Sequence, residues 1–201
     1  RSMYNLTGKL ALITGGTRGI GLAIGEAILA AGGNVVLNGR SATDEASELV
    51  ERYGAGRAAV ELGDVSEPAV ATALVGAAAE RFGDGLDLLV HAAGWPAPGK
   101  ITDLSAEVWM NAFAVHLHPV FHLFRAAHPY LKREGGAVLL VSSVAGLRGC
   151  PGTPAYQTVK GALIPLAKAL AFDHAHEKIR VNLITPGIIR TRFHEAMSEH
   201  A

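Results

Sequence analysis

Four tyrosines occur in this 201-residue chain, and only Tyr156 is followed four positions later by a lysine, Lys160. On a helix that spacing brings both side chains to one face, a turn apart. An ammonium beside a phenol stabilises the phenolate, lowering a tyrosine pKa from about 10 toward working pH. Such a phenol is a general acid or base, suited to protonating a carbonyl oxygen as a hydride arrives at its carbon. Ser143, in Val141-Ser142-Ser143, stands upstream where its hydroxyl can hold the same oxygen. Alone, Tyr-x-x-x-Lys describes many solvated helix pairs. It gains weight from a serine that ends a predicted strand and from a glycine turn far upstream.

That turn is Thr14-Gly15-Gly16-Thr17-Arg18-Gly19-Ile20-Gly21. It follows an apolar strand pattern and opens a helical one, the context that gives glycine triplets meaning. Glycines let backbone N–H groups approach a pyrophosphate, and the positive end of the next helix favours its charge. Gly15, Thr17, Arg18, Gly19, Ile20 and Gly21 are therefore candidate cofactor-binding residues. A turn serving chain geometry alone is the plainer alternative, disfavoured by the strand before it and the helix after. The spacing is Gly-x-x-x-Gly-x-Gly rather than Gly-x-Gly-x-x-Gly. The second predicted strand ends Leu37-Asn38-Gly39-Arg40, with no acid to take ribose hydroxyls. Arg40, helped by Arg18, is suited to a 2′-phosphate, so NADP(H) is favoured, with NAD(H) the alternative.

Short apolar runs alternate with longer amphipathic ones, the pattern of a parallel sheet between helical layers. Strands are predicted over Lys9–Thr14, Asn34–Asn38, Ala58–Leu62, Leu86–His91, Ala137–Ser142 and Arg180–Ile184. Helices are predicted over Ile20–Ala31, Asp44–Tyr53, Pro68–Phe82, Ala106–Lys132 and Tyr156–His176. The fold class is thus α/β, with residues 1–201 expected to form one dinucleotide-binding domain. Eighteen basic and eighteen acidic residues cancel, which removes any electrostatic case for nucleic acid or an anionic membrane as partner. The single cysteine, Cys150, excludes an internal disulfide framework and fits a reducing compartment. With no signal-peptide pattern and no membrane-length apolar run, a cytoplasmic location is expected.

From about Leu6 to Arg192 the chain resembles the short-chain dehydrogenase/reductase family of the Tyr-x-x-x-Lys type. The family's glycine turn appears as Thr14 to Gly21, and its acidic residue after the third strand as Asp64-Val65. Its Asn-Asn-Ala-Gly appears in variant form as His91-Ala92-Ala93-Gly94, and its Pro-Gly after the sixth strand as Pro186-Gly187, with Ile188 and Thr191. The resemblance implies a Rossmann-like, doubly wound parallel sheet with helices on both faces. It implies that Ala92, Ala93, Gly94, Asp64, Val65, Pro186, Gly187, Ile188 and Thr191 join the glycine turn in holding the cofactor. Tyr156 would then move the proton, Lys160 would tune it and hold the nicotinamide ribose, and Ser143 would orient the substrate oxygen. The implied activity is hydride transfer between nicotinamide and a carbonyl or secondary alcohol, with 3-oxoacyl-carrier-protein reductase a serious candidate. The alternative is an NADP(H)-binding sensor or assembly protein without catalysis.

Two departures qualify that resemblance. Where the family has Asn in a Val-Asn-Leu stretch, this chain has Val115-His116-Leu117. His116 either replaces the asparagine in a proton relay to the lysine or only holds its helix. The family also continues with a substrate lid, a helix and a seventh strand, and that C-terminal strand is absent from the chain, which stops at Ala201. The sequence is then a fragment or the ordered part of a longer chain, and the mobility of such lids favours the second. Trp95, Pro96, Arg148, Phe193 and Met197 fall on segments that the family uses for substrate. His118 and His122 are four apart, but Pro119 intrudes and no third ligand completes a set, so no metal is expected. A homodimer or homotetramer is implied, with Ala162, Leu163, Leu166, Ala169 and Leu170 compatible with such packing, though some of them must face the sheet.

Overall fold

The computed structural model describes residues 4–83 and 85–191. Phe193 and Met197, expected near substrate, lie outside the described residues. Within them, β1 (Leu10–Thr14), β2 (Asn34–Gly39), β3 (Ala58–Leu62), β4 (Leu88–His91), β5 (Ala137–Val141) and β6 (Arg180–Ile184) form one sheet. Its order is β3-β2-β1-β4-β5-β6, and every pairing is parallel. The order reverses between β1 and β4, and a ligand crevice opens beyond the strand ends at such a switch point.

Alternation along the strands divides the core in two. Leu10 and Leu12 of β1, Val36 of β2, Leu89 of β4 and Val138 and Leu140 of β5 face one side. There they meet α3 (Pro68–Arg81), α5 (His118–Glu134) and α6 (Pro154–Asp173). Ala11, Ile13, Val35, Leu37 and Val90 face the other side, against α1 (Gly19–Ala30) and α2 (Asp44–Tyr53). Both faces of these strands are buried, which is why they read as unbroken apolar runs. The doubly wound parallel sheet expected from the sequence is the observed fold.

The predicted helix over Ala106–Lys132 is two helices, α4 (Ala106–His116) and α5, meeting at Leu117. Pro119 lacks the N–H that a continuous helix needs, and it sits in the first turn of α5, where that N–H is not required. Ser105 caps α4 by accepting from the Val108 N–H at 3.2 Å. Helix α6 ends at Asp173, and a 3-10 turn, Ala175–Glu177, completes the segment predicted as helical to His176. Leu163 is buried in the core, with Leu166 and Leu170 half-buried against it, so part of this set faces the sheet. Ala169 is exposed, as is the neighbouring Phe172. No helix among the described residues is long and apolar enough to cross a membrane.

Candidate active site

Strand β5 delivers Ser143 just past its last residue, where the hydroxyl accepts from the Ala145 N–H at 3.1 Å and caps the 3-10 turn Val144–Gly146. Pro154 starts α6, and Tyr156 and Lys160 follow on one face, with the Lys160 Nζ 5.8 Å from the centre of the phenol ring. The side chains of Ser143 and Tyr156 hydrogen-bond to each other. The three residues singled out from the sequence therefore meet above the sheet's C-terminal edge.

Two partners of this group were not read from the sequence. The Val141 carbonyl accepts from Lys160 Nζ at 2.6 Å, and the Ser142 hydroxyl donates to the Lys160 carbonyl at 2.7 Å. The end of β5 thus grips α6 at the lysine. Only Ser142 left a sequence signal, as a polar residue closing an apolar strand.

Burial sets the protonation of the pair. Lys160 is buried and loses hydration, which pushes its pKa down to about 7. Tyr156 is pushed up from its ordinary value by burial, partly offset by the hydrogen bond from Ser143. This corrects the sequence expectation that the lysine lowers the phenol. The spacing gives adjacency correctly, but it says nothing about desolvation, which outweighs it. The phenol is consequently held in its proton-donating form.

Next to the phenol lies His116, fully buried, its ring edge-on to Tyr156 with centroids 5.5 Å apart. His116 Nε2 is 2.9 Å from the Trp95 carbonyl and 3.2 Å from the Trp95 N–H, while Nδ1 has no hydrogen-bond partner among the described residues. Burial, then the Lys160 charge, keeps the imidazole neutral well below its usual range. These contacts run to the Trp95 backbone and not to Lys160. Trp95 itself packs with Ala97, Ala112, Ala155 and Val159, while Arg148 is exposed and Pro96 buried. Cys150 is an exposed free thiol whose backbone is clasped by Gln157.

His91 ties the end of β4 to β1 and to α4. A backbone carbonyl can only accept, so Nε2 donates to the His116 carbonyl at 3.1 Å. Nδ1 therefore accepts from the Thr14 hydroxyl at 2.8 Å. Burial first, and the Lys160 cation second, lower this histidine to about 3, so it stays neutral as a strut.

The cofactor candidates come together in several local contacts. Gly15 has φ +64, and a Cβ there would stand 2.6 Å from the Ala93 N, so the glycine turn lies directly on Ala92-Ala93-Gly94. A Cβ at Gly19 would lie 3.5 Å from Thr191 Cγ2, bringing in the segment after β6. The Pro186 carbonyl accepts from the Val144 N–H at 3.0 Å, fixing that segment beside the serine turn. Gly19, Ile20, Pro186 and Thr191 share the wall of an open cleft of about 540 Å³, and Ile188 stands exposed beyond it. The first turn of α1 has no side-chain cap and no acid, so its N–H groups and positive end suit a pyrophosphate. Asn38 Nδ2 donates to the Gly63 carbonyl at 3.1 Å and sets Asp64-Val65 beside the end of β2. Arg18 donates to Ser41 Oγ at 3.2 Å, next to exposed Arg40. The residues present fit a nicotinamide dinucleotide.

Comparison with known proteins agrees with this geometry. The family model described as short chain dehydrogenase matches residues 9–201. D-beta-hydroxybutyrate dehydrogenase of Rhizobium meliloti is 37% identical over 187 residues, covering 91% of this chain and 72% of that protein. Dehydrogenase/reductase SDR family member 4 of Caenorhabditis elegans is 35% identical over 194 residues, covering 94% and 74%. The structure of L-sorbose reductase from Gluconobacter frateurii, complexed with NADPH and L-sorbose, superposes with a TM-score of 0.88 at 32% identity, covering 94% of this chain and 73% of that one. The chain belongs to the short-chain dehydrogenase family, whose members bind a nicotinamide cofactor and interconvert CH–OH and C=O groups of small molecules.

Proposed function

We propose that this protein is an NADPH-dependent reductase of a carbonyl substrate, run in reverse on a secondary alcohol, with residues 1–201 acting as one cytoplasmic dinucleotide-binding unit. The observation that carries the reading is the hydrogen-bonded Ser143–Tyr156 pair with buried Lys160 one turn away. When bound, the nicotinamide supplies or accepts the hydride. Tyr156 gives its proton to the carbonyl oxygen during reduction and takes it back during oxidation. Ser143 holds that oxygen beside the phenol. Lys160, its pKa brought down to about 7, stands beside the phenol and would hold the ribose of the bound cofactor. Glycines 15, 19 and 21 with the α1 N-terminus would receive the pyrophosphate.

Preference for NADPH over NADH is supported by Arg40 just past β2, by Arg18 of the glycine turn reaching Ser41 beside it, and by the lack of an acid on that strand. The sorbose reductase that this chain resembles was itself solved with NADPH. His116 is read as a positioning residue: it holds the Trp95 segment and faces Tyr156, and its neutral ring does not need to shuttle protons.

The test is a panel of ketones, sugars and ketoacyl thioesters assayed with NADPH and NADH, alongside cofactor-fluorescence titration. We expect turnover with NADPH on at least one class, and Arg40→Ala weakening NADPH binding about 10-fold or more while sparing NADH. Tight NADPH binding without turnover on any carbonyl would favour a cofactor sensor instead.

A further inference from the structure

Away from the cleft, three metal-ligating side chains converge where α6 hands over to β6. His128 projects from α5, His174 closes α6, and Glu177 ends the 3-10 turn. His128 Nε2 is 2.8 Å from Glu177 Oε2, and His174 Nδ1 is 2.7 Å from the same oxygen. All three ligand atoms lie within 4.8 Å of one another. Tyr156 and His174 are eighteen residues apart on this helix, a separation of roughly 27 Å at 1.5 Å per residue. The trio is therefore remote from hydride chemistry.

We propose that His128, His174 and Glu177 bind a divalent transition-metal ion of the zinc type, clipping α5 to the end of α6. The donor set is two imidazoles and one carboxylate, a combination suited to borderline metals. At metal–ligand distances of about 2.0–2.1 Å, tetrahedral neighbours sit about 3.3 Å apart. Each His–Glu contact needs to open by about half an ångström to reach that spacing, and the two imidazole nitrogens already lie within 4.8 Å of each other. The metal takes the place of the two ring protons, which move to the opposite ring nitrogens.

The surroundings favour a preformed site. Phe124 packs on both imidazoles, with centroids 6.1 Å from His128 and 4.8 Å from His174, which restrains their rotation. Side-chain exposures of 26%, 23% and 20% for His128, His174 and Glu177 leave an entry path and room for a water as fourth ligand. Sequence spacing drew attention to His118 and His122, but the fold assembles a different set, because His128 reaches its partners only across helices.

Full-length protein stripped with a chelator is titrated with Zn²⁺ by calorimetry and thermal melting, and with Co²⁺ by visible absorption. Zn²⁺ at a free concentration of roughly 100 times its Kd is expected to raise Tm by about 5–10 °C. One equivalent of Co²⁺ should show the intense bands of a four- or five-coordinate site. His128→Gln keeps a donor for Glu177 but loses the ligand, and it should abolish both signals, as should Glu177→Gln. His122→Ala should leave them intact. A wild-type protein showing neither signal, or equal metal binding in wild type and Glu177→Gln, overturns the proposal and leaves a hydrogen-bonded His–Glu–His clamp. If His128→Gln fails to fold, the wild-type Co²⁺ spectrum decides, since a pale six-coordinate spectrum alone contradicts the site.

Discussion

Lys160 carries an amine into the protein with the Val141 carbonyl as its hydrogen-bond acceptor, and the resulting loss of hydration has a thermodynamic signature. Its folded pKa is depressed to about 7 from the ordinary lysine value of 10.5. Between those pH values the unfolded chain holds a proton that the folded chain has released. The stability of the folded state, as far as this group is concerned, therefore rises with pH across that window. Urea unfolding of wild type and Lys160→Met should show the stability difference moving in favour of wild type from pH 7 to pH 9.5. A difference independent of pH would contradict the buried amine. The same desolvation keeps Tyr156 protonated, which suits a donor in carbonyl reduction. Sequence spacing revealed which residues meet but not how dry their meeting place is. Desolvation depends on Val141, Ser142 and the 3-10 turn, which are distant or featureless in the chain.

At the scale of elements, the site depends on close approaches that a side chain would block. A Cβ on Gly94 would stand 2.4 Å from His116 Cε1, so the turn after β4 and the end of α4 interlock there. Gly94→Ala must displace the imidazole that faces Tyr156, an overpacking that should cost about 1–3 kcal/mol and reduce turnover. In a His116→Ala background the same substitution should cost clearly less, as read by urea unfolding in a double-mutant cycle. Strictly additive effects would show that the two residues do not interlock. The strands and most helices were legible in the sequence, because buried strands and amphipathic helices write strong periods. The division of Ala106–Lys132 into two helices was missed although Pro119 marked it, since apolar residues continue at helical spacing through the break. The role of His91 was legible only as a departure from a motif; its bonds to Thr14 and His116 are long-range and leave no local signal.

For the whole molecule, the parallel order β3-β2-β1-β4-β5-β6 brings the glycine turn, the His91–Gly94 turn, Ser143 and the Pro186 segment to one edge. Each arrives from a different strand end, and only the fold makes them neighbours. Large apolar side chains remain exposed on the helices: Met110 on α4, Phe121 on α5 and Phe172 on α6, at 58%, 55% and 83%. We expect these faces to be covered by further copies of the chain. Sedimentation equilibrium should report a dimer or tetramer for wild type and a smaller species for the Phe121→Glu/Phe172→Glu double variant. A wild-type monomer at high concentration would contradict that expectation. The central claim, that this edge transfers a hydride under control of a phenol, is tested most directly with NADPH deuterated at the reactive carbon. With wild type, deuterium should appear on the carbinol carbon of the product. Tyr156→Phe should bind NADPH normally and turn over about 10²–10⁴-fold more slowly. Unlabelled product, or a Tyr156→Phe variant as fast as wild type, would contradict the account.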